Sequence, residues 1–245
     1  MDLVFTKIGI ELLVIAPIIY FGLYRIKVKW RLLLLFVIFF MLNQILLELP
    51  RQFSEFSFTG GSWNWSGKIY AIIGSIVFYF LFRKDFSAND FFTLKQKKGS
   101  LKTNTLITAV IGMVAIAISF FLFGKSEPKP ETLFFQLTMP GFDEEIAFRG
   151  IMLGLLATLL KDRLKLGKIS FGNPAVLITA ILFGLVHSLH IDKNGSISQN
   201  WIYFAQTFLL GWIWGWMTIK SRSILMALVS HNLTNTLGTL TTWIK

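Results

Sequence analysis

The sequence contains no cysteine. This absence excludes disulfides, thiolate nucleophiles and metal sites built from thiolates. Charge is also scarce: charged residues make up 15% of the 245 residues, whereas hydrophobic residues make up 54%. A soluble domain of this length carries far more charge, so the composition excludes an ordinary soluble enzyme. Long polar stretches are lacking as well, which leaves no room for a separate soluble domain.

The 13 acidic residues are outnumbered by 24 Lys and Arg, which gives a formal net charge of +11. In a soluble protein this excess would suggest binding to nucleic acid. Here the basic residues lie between apolar blocks, where they serve as topology signals and contact anionic lipid head groups. We therefore expect the lipid bilayer as a partner and no nucleic acid.

The hydrophobic residues form blocks of about 20 residues, the length of a helix that crosses a bilayer. The sequence therefore predicts an all-α fold, a polytopic membrane bundle of about eight transmembrane helices. Pro50 and the pair Pro140-Gly141 are expected to mark helix ends. The blocks span residues 8–24, 31–49, 67–83, 104–124, 142–160, 173–190, 200–219 and 223–243.

Lys and Arg are distributed unevenly over the linkers between these blocks. The linkers after the first, third, fifth and seventh blocks hold more than twice as many basic residues as those on the opposite side. In membrane proteins the cytoplasmic linkers carry the excess of Lys and Arg. We therefore expect a multi-pass protein of the cell membrane with both termini outside the cytoplasm. The short length and the lack of cysteine favour a prokaryotic plasma membrane.

Six polar residues interrupt three of the blocks, and the predicted topology brings them to a similar depth. A charge at the bilayer centre costs about 2.5–3.5 kcal/mol, so charges there seldom serve the fold alone. Taken singly, each residue has a structural explanation, as part of an intramembrane ion pair or as a hydrogen bonder between helices. Together they favour a catalytic site that comprises Glu144, Glu145, Arg149, His187, His231 and Asn235.

Helical spacing assigns different neighbours to the two adjacent glutamates. Glu145 and Arg149 are four residues apart, so they share a helix face and can form an ion pair. Glu144 points about 100° away and is left without a cation on its own helix. His231 and Asn235 are also four residues apart and share a face.

A carboxylate, two histidines and an amide suit hydrolysis by an activated water. A carboxylate in apolar surroundings can take a proton from water, and a histidine can position that water. A second histidine and an amide can donate hydrogen bonds to the developing oxyanion. Neither a Gly-x-Ser-x-Gly elbow nor a His-Glu-x-x-His helix occurs. Their absence argues against an intramembrane protease of the serine or zincin type.

Three motifs resemble those of the CPBP family, which comprises CAAX proteases and bacteriocin-processing enzymes and is also called the Abi family. Residues 144–150 fit its Glu-Glu-x-x-x-Arg motif, residues 183–187 fit Phe-x-x-x-His, and residues 231–235 fit His-x-x-x-Asn. Each motif is weak alone, but three in order on hydrophobic blocks are a strong signal. The resemblance covers about residues 135–240 and implies a CPBP-like catalytic core of four spans in residues 131–245. Residues 1–130, which resemble the family only in being apolar, are expected to form four N-terminal transmembrane helices.

The resemblance implies an intramembrane endopeptidase that acts on a membrane-associated protein or peptide. It implies Glu144 as the general base, with His187 as its partner on the catalytic water. It further implies that His231 and Asn235 form the oxyanion hole.

The resemblance gives Glu145 and Arg149 the task of orienting the site. Members of the family are labelled metalloproteases, and Glu144, His187 and His231 would make a zinc set of two histidines and one carboxylate. We favour no metal, because Arg149 nearby opposes a dication.

Two other functions compete with proteolysis. Some family members are proposed to act without cleaving peptides, so a bacteriocin-immunity or regulatory membrane protein is the main alternative. A transporter is a third reading, because carboxylates and histidines within a membrane can relay protons. The sequence weakens that reading, since it contains no internal repeat.

Overall fold

The computed structural model describes residues 1–163, 165–166, 169–170 and 172–244. Within them, every predicted block coincides with a helix, and the boundaries differ by a few residues except in the fifth block. The helices before that block are α1 (Asp2–Leu23), α2 (Trp30–Gln52), α3 (Trp65–Leu81) and α4 (Ser100–Leu122). Those after it are α7 (Pro174–Ser188), α8 (Trp201–Ser221) and α9 (Leu225–Ile244). Two short 3-10 turns, Ser54–Phe56 and Arg83–Phe86, lie in the linkers.

The helices support a membrane protein. Among the described residues, α1, α2 and α4 are long and apolar enough to cross a bilayer, while α3 and α7 are apolar but shorter. Large apolar side chains such as Leu13 and Phe121 point outwards and are well exposed, as expected for side chains that contact lipid. The expectation of eight transmembrane helices is not confirmed by these lengths.

The fifth block is longer than predicted and has an unusual centre. It comprises α5 (Pro130–Pro140), a π-helix (Gly141–Met152) and α6 (Leu153–Leu159), joined by residues with helical backbone angles. Pro140-Gly141 therefore marks the end of α5, as expected, but the helical backbone continues beyond it as the π-helix. Proline has a φ that suits a helix, and the N–H of Gly141 donates to Asn232 Oδ1 of α9 at 2.7 Å. Pro50 likewise lies inside α2, two residues before its end.

Within the described residues, two short antiparallel hairpins accompany the helices of the predicted all-α fold. β1 (Lys165–Leu166) pairs with β2 (Ile169–Ser170), and β3 (Leu189–Ile191) pairs with β4 (Ile197–Gln199). A turn closes the second hairpin: Asp192 Oδ1 accepts from the N–H groups of Asn194 and Ser196, and Gly195 has a φ of 82°. Such turns form where Asp and Gly supply the needed backbone geometry.

The π-helix lies at the centre of the bundle. Almost all of its residues are buried, and its apolar side chains Ala147, Phe148 and Ile151 join the main core. Among the described helices, α2, α3, α5, α7, α8 and α9 all contact it. N-terminal helices thus pack directly on the segment that carries the Glu-Glu-x-x-x-Arg motif. The predicted division of the chain at residue 130 stays a prediction.

Candidate active site

Two of the predicted residues, both histidines, converge on one carboxylate oxygen of a third. Glu144 lies on the π-helix, and its Oε2 is 3.4 Å from His187 Nε2 on α7. The same oxygen is 3.8 Å from His231 Nε2 on α9. Oε2 accepts no hydrogen bond from the described residues. Residues from three helices, far apart in sequence, thus surround an oxygen that is free to accept a proton.

A backbone carbonyl fixes the orientation of His187. Its Nδ1 lies 2.7 Å from Phe183 O, one turn earlier on α7. A carbonyl oxygen only accepts, so Nδ1 carries a proton and donates it, and Nε2 is left facing Glu144. Residue 183 thus supplies the backbone carbonyl that selects the tautomer of residue 187.

A second, fully buried cluster lies behind the first. Glu145 Oε1 accepts from His231 Nδ1 at 2.8 Å and pairs with Arg149 Nη1 at 3.1 Å. Arg149 also donates from Nη2 to the carbonyl of Gly211 on α8 at 3.1 Å, and its side chain is 0% exposed. The predicted Glu145–Arg149 ion pair is confirmed. The cluster directs His231 Nε2 towards Glu144, and Trp214 stacks on the ring with centroids 4.1 Å apart.

Asn235 lies one turn after His231 on α9 and lines a cavity that Glu144 and His231 also line. It is partly exposed, and no described residue forms a hydrogen bond with its amide group. Its donors therefore face the cavity without a competing partner within the described part of the chain.

Lys68 and Asp143 belong to the site as well, although they were not predicted from the sequence. Lys68, in the first turn of α3, donates from Nζ to Glu144 Oε1 at 2.6 Å and to Asp143 Oδ2 at 2.7 Å. Glu144 has no cation on its own helix, as predicted, but α3 supplies one. Two signals were present in the sequence. Lys68 is a charge at the head of a predicted span, and Asp143 directly precedes the two glutamates.

All of these groups except the buried Glu145–Arg149 pair line one cavity of about 1290 Å³. Apolar walls come from residues such as Phe148, Phe183 and Trp214. A cavity of this size exceeds the volume of most small-ligand pockets and can hold several residues of a peptide together with water.

The donors that would hold zinc do not form a metal site in this geometry. Among the described residues, no three side chains of His, Asp or Glu are arranged to hold an ion. Lys68 Nζ already occupies Glu144 Oε1 at 2.6 Å, and its charge opposes a dication at this carboxylate. We therefore propose no chemical step that involves a metal ion.

The C-terminal part of the chain matches a known protein family. Residues 128–237 match the family described as type II CAAX prenyl endopeptidase Rce1-like. This match confirms the resemblance carried by the three motifs, all of which lie inside it. Lys68 lies outside the matched residues. No curated protein matches the sequence.

Proposed function

We propose that this chain, whose residues 128–237 match the type II CAAX prenyl endopeptidase family, is an intramembrane endopeptidase. It hydrolyses a peptide bond of a membrane-associated protein or peptide with a water activated by Glu144 and His187. The observation that carries this proposal is the free Oε2 of Glu144, which lies 3.4 Å from His187 Nε2 in a cavity large enough for a peptide.

The attacking water binds between Glu144 Oε2 and His187 Nε2. Lys68 holds the other carboxylate oxygen, Oε1, so Oε2 is the atom that takes the proton from the water. The water oxygen then forms a bond with the carbonyl carbon of the substrate, and a tetrahedral oxyanion develops. When the C–N bond breaks, Glu144 returns the proton to the leaving nitrogen, so the carboxylate is regenerated.

Two side chains of α9 stabilise the oxyanion. The free amide of Asn235 donates one hydrogen bond, and His231 donates from Nε2 when its ring is protonated. Glu145 accepts from His231 Nδ1 at 2.8 Å and so holds the ring with Nε2 towards Glu144. Arg149 neutralises Glu145 in turn and is a positioning residue. Preorganised donors of this kind typically contribute about 10²–10³ in kcat each.

The substrate class follows from the family and from the depth of the site. The family description names a CAAX prenyl endopeptidase, so a prenylated peptide that ends in a CAAX sequence is the first substrate to test. The proposed chemistry needs no cofactor. No observation favours the non-proteolytic alternative of an immunity or regulatory protein.

The test uses the purified protein in lipid nanodiscs and a fluorogenic farnesylated CAAX peptide. We expect the wild type to cleave the peptide and Glu144→Gln to reduce kcat at least about 10²-fold, the lower range for loss of a general base. Glu48→Gln is the matched control, because Glu48 lines the same cavity but pairs with Arg51 on its own helix at 2.6 Å. Equal cleavage by the wild type and Glu144→Gln would remove the basis of the proposal.

A further inference from the structure

The β3–β4 hairpin begins directly after the helix that carries His187. β3 starts two residues beyond this histidine, and all three of its residues, Leu189 to Ile191, line the cavity that contains Glu144. The residues of β4 do not line it. One edge of this small sheet is therefore continuous with the candidate active site.

The register of the hairpin tells which backbone groups point to that edge. Ser188 and Asn200 are joined by a hydrogen bond at one end of the ladder, and Asp192 and Ser196 by another at the other end, both at 3.1 Å. Hydrogen-bonded pairs alternate with non-bonded pairs in an antiparallel ladder. The pairs Leu189–Gln199 and Ile191–Ile197 are thus non-bonded. Their N–H and C=O groups point away from the partner strand.

On β3 three of these outward groups have no partner. The N–H of Leu189 closes the last turn of α7 on Leu185 O. The C=O of Leu189 and the N–H and C=O of Ile191 form no hydrogen bond with any described residue. Backbone polar groups that are withdrawn from water without a partner are costly, so an edge of this kind is complete only when water or another strand bonds to it.

We propose that this edge of β3 binds the backbone of the substrate as an added, extended strand. The inference rests on the proposed endopeptidase function and names how the peptide is held. An extended peptide supplies alternating N–H and C=O groups that match those of Leu189 and Ile191. Successive residues of a strand advance about 3.3 Å, so the edge holds about three residues of the substrate on one side of the bond to be cleaved.

The hairpin itself provides the test and its matched control. In Ile191→Pro the ring replaces the outward N–H, while the hydrogen-bonded pair of His190 and Ser198 keeps the ladder intact. Ile197→Pro makes the same change in the same residue pair, but on the edge that does not line the cavity. With the farnesylated CAAX peptide, we expect Ile191→Pro to raise KM about 2- to 12-fold, the loss of one hydrogen bond. Ile197→Pro should leave KM unchanged.

A series of peptides, each with one backbone amide replaced by an ester, tests the same contacts by changing the substrate. Replacing one amide at a time removes one substrate N–H, and KM should rise at alternate positions only, because β3 bonds to every second residue. Unchanged KM in Ile191→Pro, or an equal effect of both proline variants, would overturn the proposal that this edge of β3, the docking edge, binds the substrate.

Binding of the same peptide to Glu144→Gln, followed by fluorescence anisotropy, separates this inference from the proposed function. If the wild type does not cleave the peptide, the proposed function fails. The docking edge still stands in that case if Ile191→Pro weakens binding and Ile197→Pro does not. The proposal that the docking edge binds the substrate is wrong if the two proline variants bind the peptide equally well.

Discussion

Lys68 holds two carboxylates with one ammonium group, and its replacement by methionine removes both contacts at once. Only 13% of its side chain is exposed, and Asp143 and Glu144 are buried with it. Removing one partner of a buried ion pair costs about 3–5 kcal/mol, because the remaining charge is left uncompensated. We expect Lys68→Met to lower the free energy of unfolding by about this amount and to reduce kcat.

A second substitution separates stability from positioning. In the double variant Lys68→Met/Asp143→Asn, one of the two uncompensated acids is neutral, so much of the lost free energy of unfolding should return. Glu144 Oε1 still lacks the ammonium group that holds it, so kcat should stay low while KM changes little. Lys68→Arg, which keeps the charge, should retain more activity than Lys68→Met.

The assay combines thermal unfolding in detergent with cleavage of the farnesylated peptide. Lys193→Met is the control, because Lys193 is an exposed lysine that lines the same cavity. Wild-type stability and kcat in Lys68→Met would refute the reasoning. Full recovery of kcat in the double variant would show that Lys68 serves only to neutralise Asp143.

Three other predictions concern the surroundings of the site. Arg149→Met should lower the free energy of unfolding by about 3–5 kcal/mol in thermal unfolding, because it leaves Glu145 as a fully buried charge without its cation; wild-type stability would contradict this. Activity should survive a strong chelator followed by dialysis, whereas a loss that zinc alone restores would show a catalytic metal. Hydrogen bonds from the Ser62 backbone and the Trp65 ring lower the pKa of Glu131. The stabilisation from this contact is therefore present at neutral pH and is lost as the pH falls through the lowered pKa; tryptophan fluorescence should show this acid transition in the wild type and not in Glu131→Gln.

The local geometry of the motifs was predictable because it depends on helical spacing alone. Glu145 and Arg149 are four residues apart, and the expected ion pair is present at 3.1 Å. The convergence of Glu144 with His187 and His231 followed from the expected depth of each residue in its span. Such arguments need only the period of a helix and the order of the blocks.

The contact between Lys68 and Glu144 was not predictable in the same way. It depends on how α3 packs against the π-helix, and no local pattern in either segment encodes that crossing. Lys68 is one of many basic residues near the ends of the apolar blocks, where such residues are common, so the sequence did not set it apart.

The π-helix and the β3–β4 hairpin escaped prediction for different reasons. Residues 141–152 are buried on almost every side, so they show no apolar stripe whose period would separate a π-helix from an α-helix. Each strand of the hairpin has three residues, too few for an alternating pattern to stand out from a linker.

The most direct test of the central claim is the kcat of Glu144→Gln for the farnesylated CAAX peptide, measured beside Glu48→Gln in the same nanodiscs. We expect a loss of at least about 10²-fold in kcat for Glu144→Gln, while the control stays active. Cleavage by Glu144→Gln at the wild-type rate would contradict the assignment of Glu144 as the base.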